Sequence, residues 1–130
     1  MIDTTKLIKE YLTASGSGLF TLVGTQVWCP MLPKDFKNTV AAIAFHPEHE
    51  EMHAKSAVQR TSFVFMCYGG SSNPANARAV YRALNDRLDL QHGTVTEGAI
   101  ILATQTAMSH FIEPETEYPV STATYDITTQ

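Results

Sequence analysis

Apolar and polar residues alternate along the chain with two different periods, and the period of each stretch predicts its secondary structure. A first helix begins after Asp3 or Thr4, either of which can cap it. Its apolar face consists of Leu7, Ile8, Tyr11 and Leu12. A second helix begins at Asn73-Pro74, where an N-cap residue is followed by proline at the first helical position. Its apolar stripe consists of Ala77, Val80, Tyr81, Leu84 and Leu88.

Five further stretches have strand character. They are residues 26–29, 39–45, 58–68, 99–103 and 120–128. The fourth is continuously apolar, as in a buried strand, and the last alternates so that Ala123, Tyr125 and Ile127 share one face. The element order αβββαββ predicts one α+β domain over residues 1–130. We expect a single mixed or antiparallel sheet of about five strands, with both main helices packed on one face.

The polar connection at residues 46–56 contains a pattern that also occurs in zinc peptidases. His49-Glu50-Glu51-Met52-His53 matches H-E-x-x-H, in which two histidines bind zinc and the glutamate acts as general base. Pro47 lies two residues before the motif and a strand begins soon after it, so little helix is available. No third ligand follows at the spacing of the extended motif. An exposed polar loop is the favoured interpretation, and a small zinc peptidase using His49, Glu50 and His53 is the alternative.

Composition and charge narrow the function classes. The chain has 130 residues, of which 44% are hydrophobic and 17% charged, which suits one packed domain and excludes most multi-domain enzymes. The net charge of −4 argues against a protein that binds nucleic acid through its phosphates. All nine Lys and Arg residues lie in 1–87, whereas 88–130 contains six acidic residues and no basic one. Cys29 and Cys67 lie in apolar stretches, which favours free buried thiols over a disulfide.

Several stretches resemble the tail terminator proteins of tailed bacteriophages. Residues 60–70 and 75–88 are similar to the central strand, the Cys-Tyr-Gly-Gly turn and the long helix of that family. The similarity continues through residues 98–103 into 113–119, which resembles the family's Asp-Pro-Asp-x-Gly-Trp-Pro loop. Glu117-Tyr118 stands where Gly-Trp is typical. The resemblance spans most of the chain in the element order read from its periodicity.

The resemblance implies a structural virion protein rather than an enzyme, with no cofactor and no membrane segment. Such proteins form a hexameric ring that caps the tail tube, ends tube polymerisation and joins the tail to neck or head-completion proteins, and DNA passes through the ring without specific binding. The implied location is the virion, after assembly in the host cytoplasm. Tail terminator proteins occur in phages with contractile tails and in phages with long non-contractile tails, and the resemblance extends to both groups. A different assembly subunit, such as a tail tube or head-closure protein, is the alternative within the same class.

Three surfaces are expected to serve such a ring. Long apolar edges at residues 39–45 and 58–68 are expected to be buried between subunits. The polar connection is expected to contact the tail tube or neck, through His46, Glu48, His49, Glu50, Glu51, His53 and Lys55. Acidic side chains in the last third are expected to face the lumen, where they repel phosphate. The candidates are Asp89, Glu97, Glu113, Glu115, Glu117 and Asp126.

Overall fold

Three helices begin at side-chain caps that the sequence supplies. The structure is a computed structural model that describes residues 3–48 and 58–130. The helices are α1 (Thr4–Leu12), α2 (Gly18–Val23) and α3 (Pro74–Leu88). Oxygens of Asp3, Ser17 and Asn73 accept hydrogen bonds from backbone N–H groups of the first turns, which otherwise lack partners. Both predicted helices are confirmed, and α2 adds a third in the short apolar stretch that follows α1.

Within the described ranges, six strands form one mixed sheet, which confirms the predicted α+β class. The strands are β1 (Val27–Trp28), β2 (Ala41–Pro47), β3 (Gln59–Gly69), β4 (Gly93–Thr94), β5 (Ala99–Ile112) and β6 (Pro119–Thr129). Their order across the sheet is β1-β2-β3-β6-β5-β4. The β1–β2 pair is parallel and the other four pairs are antiparallel. The sixth strand, β4, is only two residues long.

The core lies on one face of this sheet, beneath all three helices. Alternate residues of the central strands point into it, because side chains alternate between the two faces of a strand. Aromatic rings fill its centre: Phe65 stacks on Phe45 with ring centroids 5.4 Å apart and meets Tyr125 edge-on at 5.7 Å. Cys67 is a buried free thiol, as expected, and burial raises its pKa far above the usual value. Cys29 is only half-buried, which corrects the expectation of burial there.

A glycine pair allows α3 to lie directly against the end of β3. A Cβ atom on Gly69 would lie 2.4 Å from the backbone nitrogen of Ala77, closer than real Cβ contacts come. Gly70 follows with φ of +79°, a conformation that L side chains rarely adopt. The Gly-Gly-Ser-Ser turn therefore serves the packing of strand against helix.

Two expectations about the strands are corrected. The predicted strand 99–103 continues to Ile112, because β5 pairs with β6 along nearly its whole length. Residues 104–112 are mostly exposed, so burial imposes no apolar alternation on them. The expectation that residues 58–68 offer a free edge is wrong, because β3 is hydrogen-bonded to β2 on one side and to β6 on the other. The edge at 39–45 is partly covered, since β1 pairs with β2 at two positions.

Candidate assembly interface

The open edge of the sheet is the second half of β5. β4 pairs only with the first two residues of that strand. Residues just after the end of α3 cover the next part, because the Leu90 N–H donates to the Ala103 carbonyl at 2.7 Å and the Gln105 N–H donates to the Asp89 carboxylate at 2.9 Å. Residues 107–112 pair with β6, but no described strand pairs with their other side. We call residues 107–112 the open edge.

The open edge lies in a strand rich in exposed apolar side chains. Ten large apolar side chains are exposed within residues 3–48 and 58–130, and half of them belong to β5. They are Ile101, Leu102, Met108, Phe111 and Ile112, with 42–60% of each exposed. Residues 99–112 contain no Lys, Arg, Asp, Glu or Pro, the residues that commonly prevent a strand edge from pairing with another chain. An uncharged, apolar edge of this kind is typical of a surface that another protein covers.

A shallow groove of about 230 Å³ separates the open edge from the start of α3. Its walls include Pro74, Ala77 and Arg78 on the helix side and His110 and Ile112 on the strand side. The His110 ring is held in place, because its Nδ1 lies 2.7 Å from the Ser121 hydroxyl and its edge packs against Tyr81. The groove therefore has one apolar wall on each side and a single cation, the exposed guanidinium of Arg78.

The acidic loop, residues 113–118, joins β5 to β6 next to the open edge. The Glu113 carboxylate accepts a hydrogen bond from the Tyr68 hydroxyl at 2.7 Å. Burial and this neighbouring carboxylate raise the pKa of Tyr68, so the phenol stays protonated. Glu115 and Glu117 are exposed, and neither forms an ion pair with any described residue. Two free negative charges therefore stand at the end of the β5–β6 hairpin.

The other three acidic candidates lie apart from this loop and are engaged within the fold. Glu97 accepts the Asp3 N–H and pairs with Lys6 at 3.4 Å, and these contacts hold the pKa of the Glu97 carboxyl below its usual range. Asp126, on the helix-free face, is bonded to Ser62 and Arg60, which likewise lower its pKa. Asp89 bonds to β5 as described above. The six predicted carboxylates are therefore not brought to one place, although three of them share the acidic loop.

The structure describes only the start of the predicted polar connection. The His46 Nδ1 lies 2.9 Å from the Pro47 carbonyl, and the Glu48 N–H donates to the Ser62 carbonyl at 2.8 Å. The remaining candidates, and with them the whole H-E-x-x-H motif, lie outside the described residues: His49, Glu50, Glu51, His53 and Lys55. Within the described part of the chain, no three His, Cys, Asp or Glu side chains are grouped to hold a metal ion.

A second exposed surface, which the sequence pattern did not indicate, connects β1 to β2. This basic linker, residues 30–40, is anchored by Phe36, whose ring meets the rings of Tyr68 and Tyr118 at 5.7 and 6.5 Å. Asn38 fixes its end by bonding to the backbone of the turn after β3. Seven of its residues are exposed, two of them basic and one acidic: Pro30, Met31, Lys34, Asp35, Lys37, Thr39 and Val40. Isolated apolar and basic residues in a loop have no periodicity, so only the structure reveals this surface.

Comparison with known proteins finds a similar fold in a solved structure but no match by sequence. No protein-family model matches the chain, and no curated protein matches its sequence. Its fold recurs in a solved virion. A chain of the virion of the native gene transfer agent particle aligns with a TM-score of 0.69, covering 95% of this chain and 92% of that one. The two sequences are 16% identical, so what they share is the fold. Among the described residues, no helix has the length and apolar character needed to cross a membrane.

Proposed function

We propose that this chain is a structural virion subunit without enzymatic activity. In this proposal it forms a closed ring at the end of a phage tail tube, ends tube polymerisation and joins the tail to neck or head-completion proteins. The observation that carries the proposal is the likeness of fold, over nearly the whole chain, to a protein that is part of a virion. The sequence resemblance described above specifies the position in the tail and the six copies.

The surfaces of the molecule suit a protein that functions as a ring of identical copies. A closed ring requires each copy to offer two different surfaces that bind each other, so that the contact repeats through a fixed rotation. The open edge is one such surface, because its outer backbone groups pair with no described strand and its apolar side chains are exposed. A domain of this size needs no internal site for such a role, since the functional contacts arise between copies.

For DNA passage we propose that the helix-free face of the sheet lines the bore. This face carries hydroxyl side chains at Ser62, Thr122 and Thr124. On this face Arg60 forms an ion pair with Asp126 at 2.7 Å. The carboxylate neutralises the guanidinium, so this face has less positive charge with which to bind DNA phosphates. Asp126 is then the acidic candidate that lies in the bore. A structure of the ring with its carboxylates only on the outer wall, and Lys and Arg inside, would contradict this arrangement.

The first test is the assembly state of the purified chain. Native mass spectrometry combined with electron micrographs should show closed rings of six copies. Open tubes of variable length would instead indicate the alternative role of a tail tube subunit. A chain that stays monomeric at all concentrations tested would overturn the proposal.

A genetic test separates the roles within a tail. The gene is deleted from the phage genome that carries it, and tails are measured by electron microscopy. Loss of a terminator should give tubes of uncontrolled length that fail to join heads. Loss of a tube subunit should remove tails altogether, and loss of a head-closure protein should leave tails of normal length beside heads that lose DNA. Wild-type particles after deletion would overturn all three assignments.

Two variants test the polar connection: a deletion tests its proposed contact, and a substitution tests its H-E-x-x-H motif. We propose that residues 46–56 contact the tail tube or neck, so deleting residues 48–54 should impair length control or head joining. Normal tails after this deletion would contradict that contact. Stoichiometric zinc in the purified protein, lost in His49→Ala together with a hydrolytic activity, would favour the peptidase alternative. Absence of zinc and unchanged behaviour of His49→Ala would dismiss it.

A further inference from the structure

Three connections between strands and helices meet at one end of the sheet. The register pairs Ala41 with Gly69 and Ile112 with Pro119, and Tyr68 with the residue after Pro119, so all these positions lie at the same end. The basic linker, the Gly-Gly-Ser-Ser turn and the acidic loop therefore lie side by side there. We call these three connections, residues 30–40, 69–72 and 113–118, the loop end. The polar connection joins β2 to β3 at the opposite end of the sheet.

Side-chain contacts hold the three connections of the loop end together. The Asn38 amide donates to the Ser71 carbonyl at 2.8 Å and accepts the Gly70 N–H at 3.0 Å, which ties the basic linker to the turn. The Phe36 ring packs against the Tyr118 ring, which ties the linker to the acidic loop. A surface whose parts are already fixed in place loses little conformational entropy on binding. The loop end is therefore suited to recognise another molecule.

A polar cleft of about 310 Å³ lies where the three connections meet. The Glu117 carboxylate in its wall forms no ion pair with any described residue. The cleft therefore offers hydrogen-bonding groups and a negative charge to a side chain of another molecule. Its walls come from all three connections: Asn38, Ser71, Ser72, Thr116, Glu117 and Tyr118.

The exposed charges of the loop end have both signs. They are Lys34, Asp35, Lys37, Glu115 and Glu117, and none of them forms an ion pair with a described residue. A complementary partner must offer hydrogen bonds and charges of both signs. The surface of a folded protein has this character. DNA does not, because its phosphates are all negative and the three carboxylates would repel them.

The geometry of the proposed ring determines which way the loop end faces. In that ring the open edge contacts a neighbouring copy, so the direction across the strands follows the circumference. The helix-free face lines the bore, so the direction perpendicular to the sheet is radial. The remaining direction, along the strands, lies closest to the ring axis. The two ends of the sheet therefore face the proteins that are stacked on the two sides of the ring.

We propose that the loop end binds the protein stacked on one side of the ring, opposite to the side on which the polar connection makes its contact, an inference that rests on the proposed ring. The partner is a protein other than this chain, with a polar surface that carries both signs of charge. One of its basic side chains enters the polar cleft and pairs with Glu117. Its acidic side chains pair with Lys34 and Lys37.

Photo-crosslinking in purified particles tests which molecule covers the loop end. The photoreactive amino acid benzoylphenylalanine replaces Glu115 in the loop end, Phe111 in the open edge or Asp86 on the exposed side of α3. The group at Glu115 should capture a protein other than this chain, and the group at Phe111 should capture a second copy. The group at Asp86 should capture neither. No capture from Glu115, capture of a second copy there, or equal capture from Asp86 overturns the proposal.

A matched pair of charge reversals tests what the loop end does. Glu117→Lys should form rings at the wild-type concentration, because the open edge is unchanged. When it replaces the wild-type gene in the phage, it should lower either head joining or the fraction of tails with correct length by about tenfold or more, because its lysine faces a cation of the partner. Asp86→Lys reverses an exposed charge on α3 and should retain both functions.

The two ends of the sheet should show different defects. Glu117→Lys and the deletion of residues 48–54 should impair different functions, since one alters each end. Loss of the same function in both variants overturns the proposal, and so does wild-type behaviour of Glu117→Lys. A melting temperature close to that of wild type confirms that Glu117→Lys is folded. Glu117→Gln, which removes only the charge, should show a weaker form of the same defect, and a defect in the other function counts against the contact.

The inference and the proposed function can fail independently. If rings and tails behave as proposed but the group at Glu115 captures no other protein, the loop-end contact is wrong and the tail role stands. If deletion of the gene leaves tail length and head joining unchanged while the group at Glu115 still captures another virion protein, the contact stands and the tail role is wrong.

Discussion

Strands β5 and β6 are neighbours, but they differ in what surrounds them. Along β6, buried residues alternate with half-buried ones from Ser121 to Thr129, because one face lies under the helices. Along β5, only Ile100 and Ala103 are buried. The apolar side chains of β6 therefore stabilise the domain, whereas most of those on β5 contribute little to the isolated chain. Apolar residues that are exposed in the isolated chain are typical of a surface that another protein covers.

The largest expected contrast comes from removing one aromatic ring in each region. Phe65→Ala should lower the free energy of unfolding by about 3–5 kcal/mol, because it removes a fully buried ring from the aromatic cluster and leaves a cavity. Phe111→Ala should change it by only about 1 kcal/mol, since the ring is 42% exposed and its removal leaves no enclosed cavity. Urea denaturation of monomeric protein measures both. Equal losses would mean that the open edge belongs to the core.

A pair of glycine variants tests the contact between the central strands and α3. Gly69→Ala should cost about 1–3 kcal/mol, because its Cβ would overlap the backbone of Asn76 and Ala77. Gly18→Ala, at the start of α2, meets nothing within 4 Å and should be neutral or slightly stabilising. Thermal unfolding of both variants compares them directly. A Gly69→Ala variant as stable as wild type would show that α3 does not approach β3 this closely.

The contact between α1 and α3 should have an intermediate effect. The Arg87 guanidinium lies 3.9 Å from the centre of the Tyr11 ring and donates to the Tyr11 carbonyl. The Tyr11 hydroxyl donates to the Arg87 carbonyl at 2.8 Å, so the two residues bind each other reciprocally. Arg87→Met should cost about 1–2 kcal/mol. Arg82→Met on the exposed side of α3 is the matched control and should cost nothing measurable in the same unfolding experiment.

The smallest effect is expected on the helix-free face, at Asp126. Ser62 and Arg60 stabilise its charged form, so its pKa is lower in the folded chain than in the unfolded one. This contribution is present at neutral pH and is lost as the pH falls through the lowered pKa. Asp126→Asn should cost at most about 1 kcal/mol at pH 7, because its partner Arg60 is exposed to solvent, and the difference should shrink in acid. A difference that grows on acidification would contradict the assignment.

The residue pattern predicts the elements that form the core of this molecule, but it does not predict which strand edges are exposed. The predicted second helix and α3 coincide, because Asn73-Pro74 sets its start and a buried stripe sets its period. The sequence pattern does not predict the second half of β5, since an edge strand exposed on both faces has no apolar period. The apolar stretch at 58–68 predicts an edge that subunits bury, but β3 is paired with β2 on one side and with β6 on the other, which the pattern along a single strand does not reveal.

The acidic candidates show the same division. The segregation of charge between residues 1–87 and 88–130 is a property of the chain and needs no structure. Which carboxylates are paired depends on tertiary contacts: Glu97 and Asp126 form ion pairs, whereas Glu115 and Glu117 form none with any described residue.

The residue pattern alone predicts the α+β class, the two main helices and a core on one face of a sheet, because burial imposes a period on the order of apolar and polar residues. The order of the strands, the position of the open edge and the exposure of the basic linker came only from the tertiary structure. These features depend on which segments, far apart in the sequence, pair with each other. A local pattern of apolar and polar residues does not show whether a strand has a neighbour. The surfaces proposed to assemble the ring belong to this second group.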